Sequence, residues 1–213
     1  RPLDGSVPPR ASDLAWFGRL ASDDGNRVAP SFARLPRSGL SDGVVQLRTM
    51  LASDAEGNWQ QETDPATVAI GFTGVPTSHD ESRRSADRAA LDWLVGRVAT
   101  MTIVDVATGR FAGELHLRQA GPRGVGGVGY SVHPDFRGRG DMARALRLLI
   151  PWAFGEGGFA RLELGAKAAN VASQKAALAA GFVPDGVRAC RLRNPDGSYS
   201  DEVRFALINP SAG

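Results

Sequence analysis

The sequence predicts an α/β domain: a mixed central sheet of six to seven strands with helices on both faces. Two observations carry that expectation. Short apolar stretches of strand length alternate with longer segments whose apolar residues recur at helical spacing, in the order β, α, α, β, β, β, α, β, α, β, β. The 213 residues, 42% hydrophobic and 23% charged, are enough for one well-cored domain and are far from the composition of a disordered chain.

Residues 44–48 read as the first strand, and Asp54-Ala55-Glu56 as part of a short helix. Residues 64–79, broken by Pro and Gly, read as loop. Residues 80–98 read as a helix whose Leu91, Leu94, Val95 and Val98 form an apolar stripe facing a sheet. Two strands, 99–106 and 110–117, flank a turn at Ala107-Thr108-Gly109, and a third spans 124–132. A helix over 138–154 places Met142, Leu146, Leu149, Ile150 and Ala153 on its inner side, with Pro151 expected to bend it. A strand at 161–164, a helix at 170–180 stopped by Gly181, and strands 182–192 and 202–208 around Asn194-Pro195-Asp196-Gly197 complete the chain. Residues 1–43, rich in Pro, Ser, Gly and Asp, read as an extension, docked through Trp16 and Phe17 or mobile, ahead of a domain over 44–213.

Composition excludes several classes. A net charge of +2 is small for a general nucleic-acid binder, although Lys167 and Lys175 are the only lysines among 25 basic residues. The single Cys190 leaves no intrachain disulfide and no multi-thiolate metal site, and His79, His116 and His133 show no ligand spacing, so no metal is expected. No apolar run approaches a membrane span, and no secretory pattern follows Arg1. A cytoplasmic setting, without nucleic-acid or membrane partners, is the expectation; a homodimer is open.

The segment from Gly129-Tyr130-Ser131-Val132 through His133-Pro134-Asp135-Phe136 to Arg137-Gly138-Arg139-Gly140 concentrates the chemistry. A strand ends, Pro134 stops its pairing, and glycines precede a helix whose free N–H groups and partial positive charge suit an anion such as a diphosphate. Read alone, Arg-Gly-Arg-Gly is equally a solvated turn entering a helix. The spacing matches neither a dinucleotide fingerprint nor an NTP-hydrolysing P-loop.

In context the chain resembles the GNAT superfamily of acyl-CoA-dependent N-acyltransferases, in the branch of the ribosomal-protein N-terminal acetyltransferases. Four motifs in order carry the resemblance: the hairpin Ile103-Val104-Asp105, Thr108-Gly109 and Gly113; the Gly129–Gly140 segment with Ala145-Leu146 and Trp152-Ala153-Phe154; Asn170-Val171-Ala172-Ser173-Gln174 with Ala180-Gly181-Phe182; and Tyr199-Ser200-Asp201. The resemblance implies acetyl-CoA as cofactor. It implies a diphosphate loop, pattern Q/R-x-x-G-x-G/A, at Arg137, Gly138, Arg139, Gly140, Asp141 and Met142, with main-chain N–H groups through Ala143 as donors. Met142 stands where the pattern has a small residue. The end of the strand at Val132 would hold the pantetheine arm.

Asn170 and Ser173 read, from the residues alone, as a helix N-cap and first turn. The resemblance implies that Asn170 contacts the cofactor and that Ser173 lies near its sulfur as the acid for the departing thiolate. The tyrosine many superfamily members carry in this helix is Ala177 here. The base is the weakest position: the glutamate that often precedes Gly-Tyr is replaced by Gly127-Val128, and His116, with Glu114 on the same strand face, is the substitute, or else an ordinary strand histidine. His133 reads as structural or cofactor-adjacent, and Tyr130 as lining the acceptor pocket or packing. Cys190 reads as a strand residue. The expected activity is acetyl transfer from acetyl-CoA to a primary amine, a protein N-terminus or a small molecule, by direct attack. The alternatives are a longer acyl donor and an acyl-CoA-binding module without turnover.

Overall fold

The computed structural model describes residues 32–72 and 74–212. The expected docking of the N-terminal extension through Trp16 and Phe17 lies outside them. The elements are β1 (Leu40–Ser41), β2 (Val45–Thr49), α1 (Ala55–Thr63), α2 (Pro65–Ile70), α3 (His79–Leu94), β3 (Ala99–Asp105), β4 (Phe111–Gln119), β5 (Val125–Val132), α4 (Asp141–Phe154), β6 (Arg161–Lys167), α5 (Val171–Ala179), β7 (Val183–Arg193) and β8 (Tyr199–Ile208), with single 3-10 turns at Ala52–Asp54 and Pro134–Phe136.

One sheet in the order β1-β2-β3-β4-β5-β6-β8-β7 contains all eight strands, one more than expected. The addition is the two-residue β1, inside the stretch read as an extension. Just upstream, Trp93 Nε1 donates to the carbonyl of Ala33 at 3.0 Å, and Phe32 packs against Trp93 and Phe159. Every neighbouring pair is antiparallel except β5 and β6.

Residues paired across strands share a face. Leu47, Met101, Ile103, Leu115, Leu117, Leu162 and Leu164 turn toward α4, whose Leu146 and Leu149 are equally inaccessible to water. Each such side chain contributes about 1.5–3 kcal/mol on burial. The opposite face is polar. Arg48, Thr102, Glu114 and Ser131 form one row and Thr100, His116 and Gly129 the next. There Asp54, 5% exposed, takes bidentate hydrogen bonds from Arg48 at 2.6 and 2.7 Å and a third from Thr102 at 2.7 Å, anchoring the start of α1 to the sheet. Phe111 leaves no room for a side chain at Gly57 of α1.

Two elements differ from expectation. Within the stretch read as loop, residues 65–70 are helical: Pro65 occupies the first turn, where its missing N–H costs nothing, and Asp64 caps by accepting from Thr67 N at 2.9 Å. Proline here starts an element. In α3 the buried face is Ser82, Ala86, Ala89 and Trp93, whereas Leu91, Leu94 and Val95 are exposed. The helix is over at Leu94, so the apolar stripe read across 91–98 mixes a last helical turn with the approach to β3. In α4, Met142, Leu146, Leu149 and Ala153 are buried as expected, Ile150 is half-buried, and the helix runs on through Pro151. It begins at Asp141, because Gly138 and Gly140 are left-handed (φ 77° and 81°).

Candidate functional site

The parallel strands β5 and β6 pair only from Val125↔Arg161 to Val128↔Leu164. Beyond that, Gly129–Val132 keeps β4 on one side and Gly165–Lys167 keeps β8 on the other, and the two strands no longer pair with each other. A wedge therefore opens in the middle of the sheet, with main-chain groups on both banks free to bond a ligand.

The loop of expected anion-binding residues lies at the head of the wedge. His133 caps the 3-10 turn by accepting from Asp135 N, and its Nε2 is 3.3 Å from Gln60 Oε1, which gives this buried ring a structural job. Burial holds its pKa down. The Arg137 guanidinium turns away from the loop to Asp64 (2.5 Å) and Thr67 (2.7 Å), tying the loop to α2. Arg139 stacks on Phe136 at 4.7 Å. A Cβ at Gly138 or Gly140 would meet no protein atom within 4 Å, so the space beside both is open. The first intrahelical bond of α4 runs from Arg144 N to Gly140 O, which leaves the N–H groups of Asp141, Met142 and Ala143 without helical acceptors. Met142 is buried in the core, so its bulk is absorbed away from the loop. Asp141 is also buried, which raises its pKa, and Oδ2 has no partner. Open space, left-handed glycines and unpaired N–H groups at a helix start fit a diphosphate.

On the α4 and α5 face, Asn170 caps α5 by accepting from Ser173 N at 3.0 Å. The Ser173 hydroxyl is 3.0 Å from Tyr130 Oη, which also donates to the Ser173 carbonyl at 3.0 Å. Burial pushes Tyr130 up to about 12, so its hydroxyl stays protonated. The sequence motifs placed Asn170 and Ser173 together but left Tyr130 open between lining a pocket and packing. Its union with Ser173 spans 43 residues, and no local pattern reports it.

On the other face, the His116 ring covers Gly129. A Cβ there would lie 2.3 Å from Nε2, so the ring reaches over β5 only because residue 129 is glycine. Burial lowers His116 to about 4, with Arg118 adding to the effect. Its Nδ1 is 3.9 Å from Glu114 Oε1. Glu114 is pushed up to about 8, by burial first and then by Glu62 of α1. The structure thus brings Tyr130 and Ser173 to one side of β5 and Glu114 and His116 to the other. Cys190 is exposed on β7, apart from both groups in the fold.

Comparison with known proteins defines the class. Residues 45–183 match the acetyltransferase (GNAT) domain, and the chain belongs to that family. It is 30% identical over 83 residues to the probable N-acetyltransferase YjcK of Bacillus subtilis (strain 168), a match covering 39% of this chain and 45% of that protein, so it spans less than half the relative's length. Among solved structures it is similar to RimL, the ribosomal L7/L12 α-N-protein acetyltransferase in complex with coenzyme A. That likeness has a TM-score of 0.71 and 21% identity over 83% of this chain and 99% of RimL. A ribosomal-protein-S5-alanine acetyltransferase from Vibrio fischeri matches with a TM-score of 0.67 and 21% identity over 79% and 95% of the two chains. The microcin C7 self-immunity acetyltransferase MccE, in complex with acetyl-CoA and AMP, matches with a TM-score of 0.71 and 18% identity over 82% and 98%. At these identities the structural likenesses speak for the fold. Among the described residues no helix is long and apolar enough to cross a membrane.

Proposed function

We propose that the chain transfers an acetyl group from acetyl-CoA to a primary amine by direct attack. The observation that carries this reading is the wedge between β5 and β6, with hydroxyl donors on one face and a carboxyl–imidazole pair on the other. A transferase of this kind needs both: a donor for the sulfur that leaves and an acceptor for the proton the amine sheds.

The N–H groups at Gly138–Ala143 hold the diphosphate, with Arg137, Arg139 and Asn170 shaping the loop and the capped turn beside it, and the end of β5 at Val132 receives the pantetheine arm. Acetyl-CoA, when bound, supplies the thioester: a nitrogen–carbon bond forms, the carbon–sulfur bond breaks, one proton leaves the amine and one reaches the sulfur. Ser173 gives a hydrogen bond or its proton to the sulfur and regains any proton it gives from water, while Tyr130, held protonated by burial and donating to the Ser173 carbonyl, orients the serine. His116 Nε2, leaning over Gly129, takes the proton of the amine, and Glu114 beside Nδ1 balances the imidazolium when ionised. No covalent enzyme intermediate is needed.

The test is thiol release from acetyl-CoA with an amine panel, with the product identified by mass spectrometry. An acetylated amine is the expected result. Tight acetyl-CoA binding with no thiol released for any amine overturns the transferase reading in favour of a binding module, and release only from longer acyl thioesters overturns the acetyl assignment.

A further inference from the structure

Two ionisable side chains, Glu114 partly and Lys167 fully withdrawn from water, flank the wedge without an arginine, lysine or carboxylate of opposite charge within 4.0 Å among the described residues. The first is Glu114. Among the described residues no arginine or lysine comes within 4.0 Å of it, and its one ion-pair-range neighbour is His116 at 3.9 Å. The groups that face it are Glu62 from α1, His116 along its own strand, with Arg118 beyond the histidine, and Thr102 across it. The second is Lys167, 4% exposed, whose ammonium has one long hydrogen bond of 3.4 Å to the carbonyl of Ala69 and, among the described residues, no carboxylate within 4.0 Å. Its cross-strand neighbour Glu202 is taken by Arg204 at 3.1 Å and Arg188 at 3.7 Å. By contrast Asp54, Asp64, Glu163 and Glu202 each have an arginine within that distance.

The placement of these two is specific. Glu114 pairs with Ser131 on β5. Ser131 and Lys167 each stand six residues beyond the first paired position of their strand, Val125 and Arg161. Glu114, Ser131 and Lys167 therefore belong to one row on one sheet face, with the wedge between the last two. Two strand spacings, about 10 Å plus the opening, separate the banks. Over this row lies α2. Its capping Asp64 is held by Arg137 and its last turn by Lys167, and the loop after it is so close to the β7–β8 turn that a Cβ on Gly74 would lie 2.4 Å from Pro195 Cγ. The row is thus roofed, with the carboxyl–imidazole pair of Glu114 and His116 on one bank and Lys167 on the other.

Resting on the transferase reading, we propose that the acceptor is a small zwitterionic amino acid, its amine received at Glu114 and His116 and its carboxylate by Lys167. A protein N-terminus presents an amide where this acceptor presents a carboxylate, and leaves Lys167 with only the longer-range attraction of Asp196 on the β7–β8 turn. Lys167 is here a specificity-determining residue that recognises the anionic end of the acceptor.

The experiment compares thiol release for free amino acids, their carboxamides and short peptides with free N-termini. Wild-type kcat/KM is expected to favour the acid over its carboxamide by roughly ten- to a hundredfold, the range of one charge-assisted hydrogen bond. Lys167→Met should bring that ratio to about one with acetyl-CoA affinity unchanged, and Lys167→Arg should restore most of it. The wild-type comparison needs no variant, so a poorly folding Lys167→Met leaves the proposal open to refutation. Carboxamides or peptides acetylated as well as acids overturn it, as does an acid preference that survives in Lys167→Met. An equal fall for acids and carboxamides in that variant also overturns it, because Lys167 would then only strap α2. Acetyl-CoA binding without turnover for any amine removes the transferase reading and this proposal together.

Discussion

Substituting Gly140 by alanine separates what the fold asks of this position from what a ligand asks of it. Gly140 has φ 81°, and an added Cβ meets no protein atom within 4 Å. The cost to the fold is therefore the left-handed backbone alone, about 1–2 kcal/mol, or a Tm lower by roughly 2–8 °C for a domain of this size. The cost to a bound diphosphate is different. A methyl in the open space at the helix start blocks at least one N–H···O contact to a charged oxygen, worth about 1.5–3 kcal/mol, which is roughly a ten- to hundredfold rise in the Kd of coenzyme A. Gly109, in the β3–β4 turn, is the internal control. Its φ is 68°, its Cβ position is equally open, and the turn is built from Asp105 and Thr108. Gly109→Ala should lose similar stability and no affinity. Calorimetric titration with coenzyme A, beside thermal melts, reads both quantities. Unchanged affinity in Gly140→Ala, or an equal loss in Gly109→Ala, refutes the assignment of the diphosphate to this loop.

Tyr130→Phe and Ser173→Ala should each lower kcat by roughly ten- to a hundredfold with little change in coenzyme A affinity, the size of one lost hydrogen bond to a group gaining charge. The double variant should lose little more than either single one, because the two hydroxyls act as one unit; additive losses in a steady-state assay would show separate roles. Glu114, with a folded pKa near 8 against an ordinary 4.5, keeps a proton that the unfolded chain releases. Its contribution to stability is full below pH 4.5 and lost as pH rises through about 8, so Glu114→Gln should flatten that part of the urea-midpoint profile. Wild-type kcat/KM should climb through the same range as Glu114 ionises. His116, lowered to about 4 from 6.5, acts in the opposite sense, its contribution fading as pH falls from 6.5 through 4. A profile flat from pH 5 to 9 in both wild type and Glu114→Gln would show that Glu114 ionises as an ordinary surface carboxylate.

What the sequence made legible was what a few adjacent residues decide. The turn at Asn194–Gly197, the entry to α4 and the cap at Asn170 each follow from local backbone chemistry, and the structure has all three. The errors have a common cause. In the sequence Pro65 reads as an interruption, because proline at a helix start and proline in a loop look alike without the capping bond from Thr67 to Asp64. Leu91, Leu94 and Val95 carry helical spacing, but the direction that matters is set by Trp93 and its partners Phe32 and Trp152 from elsewhere in the chain. The site divides the same way. Gly138, Gly140, Asn170 and Ser173 announce themselves in short motifs, whereas Tyr130 gains meaning only from Ser173, and Glu114 and His116 only from Glu62 and Gly129. Lys167 is the extreme case. A lysine at the end of a strand reads as a solvated charge, and it is buried because α2, contributed 98 residues earlier, closes over it. In the proposed reading the family motifs hold the thioester carrier, and they are local because a helix start and a strand end carry the groups such a ligand needs. The acceptor side is assembled from β4, β6, α1 and α2, so its chemistry is written in tertiary contacts that no single stretch of the chain contains.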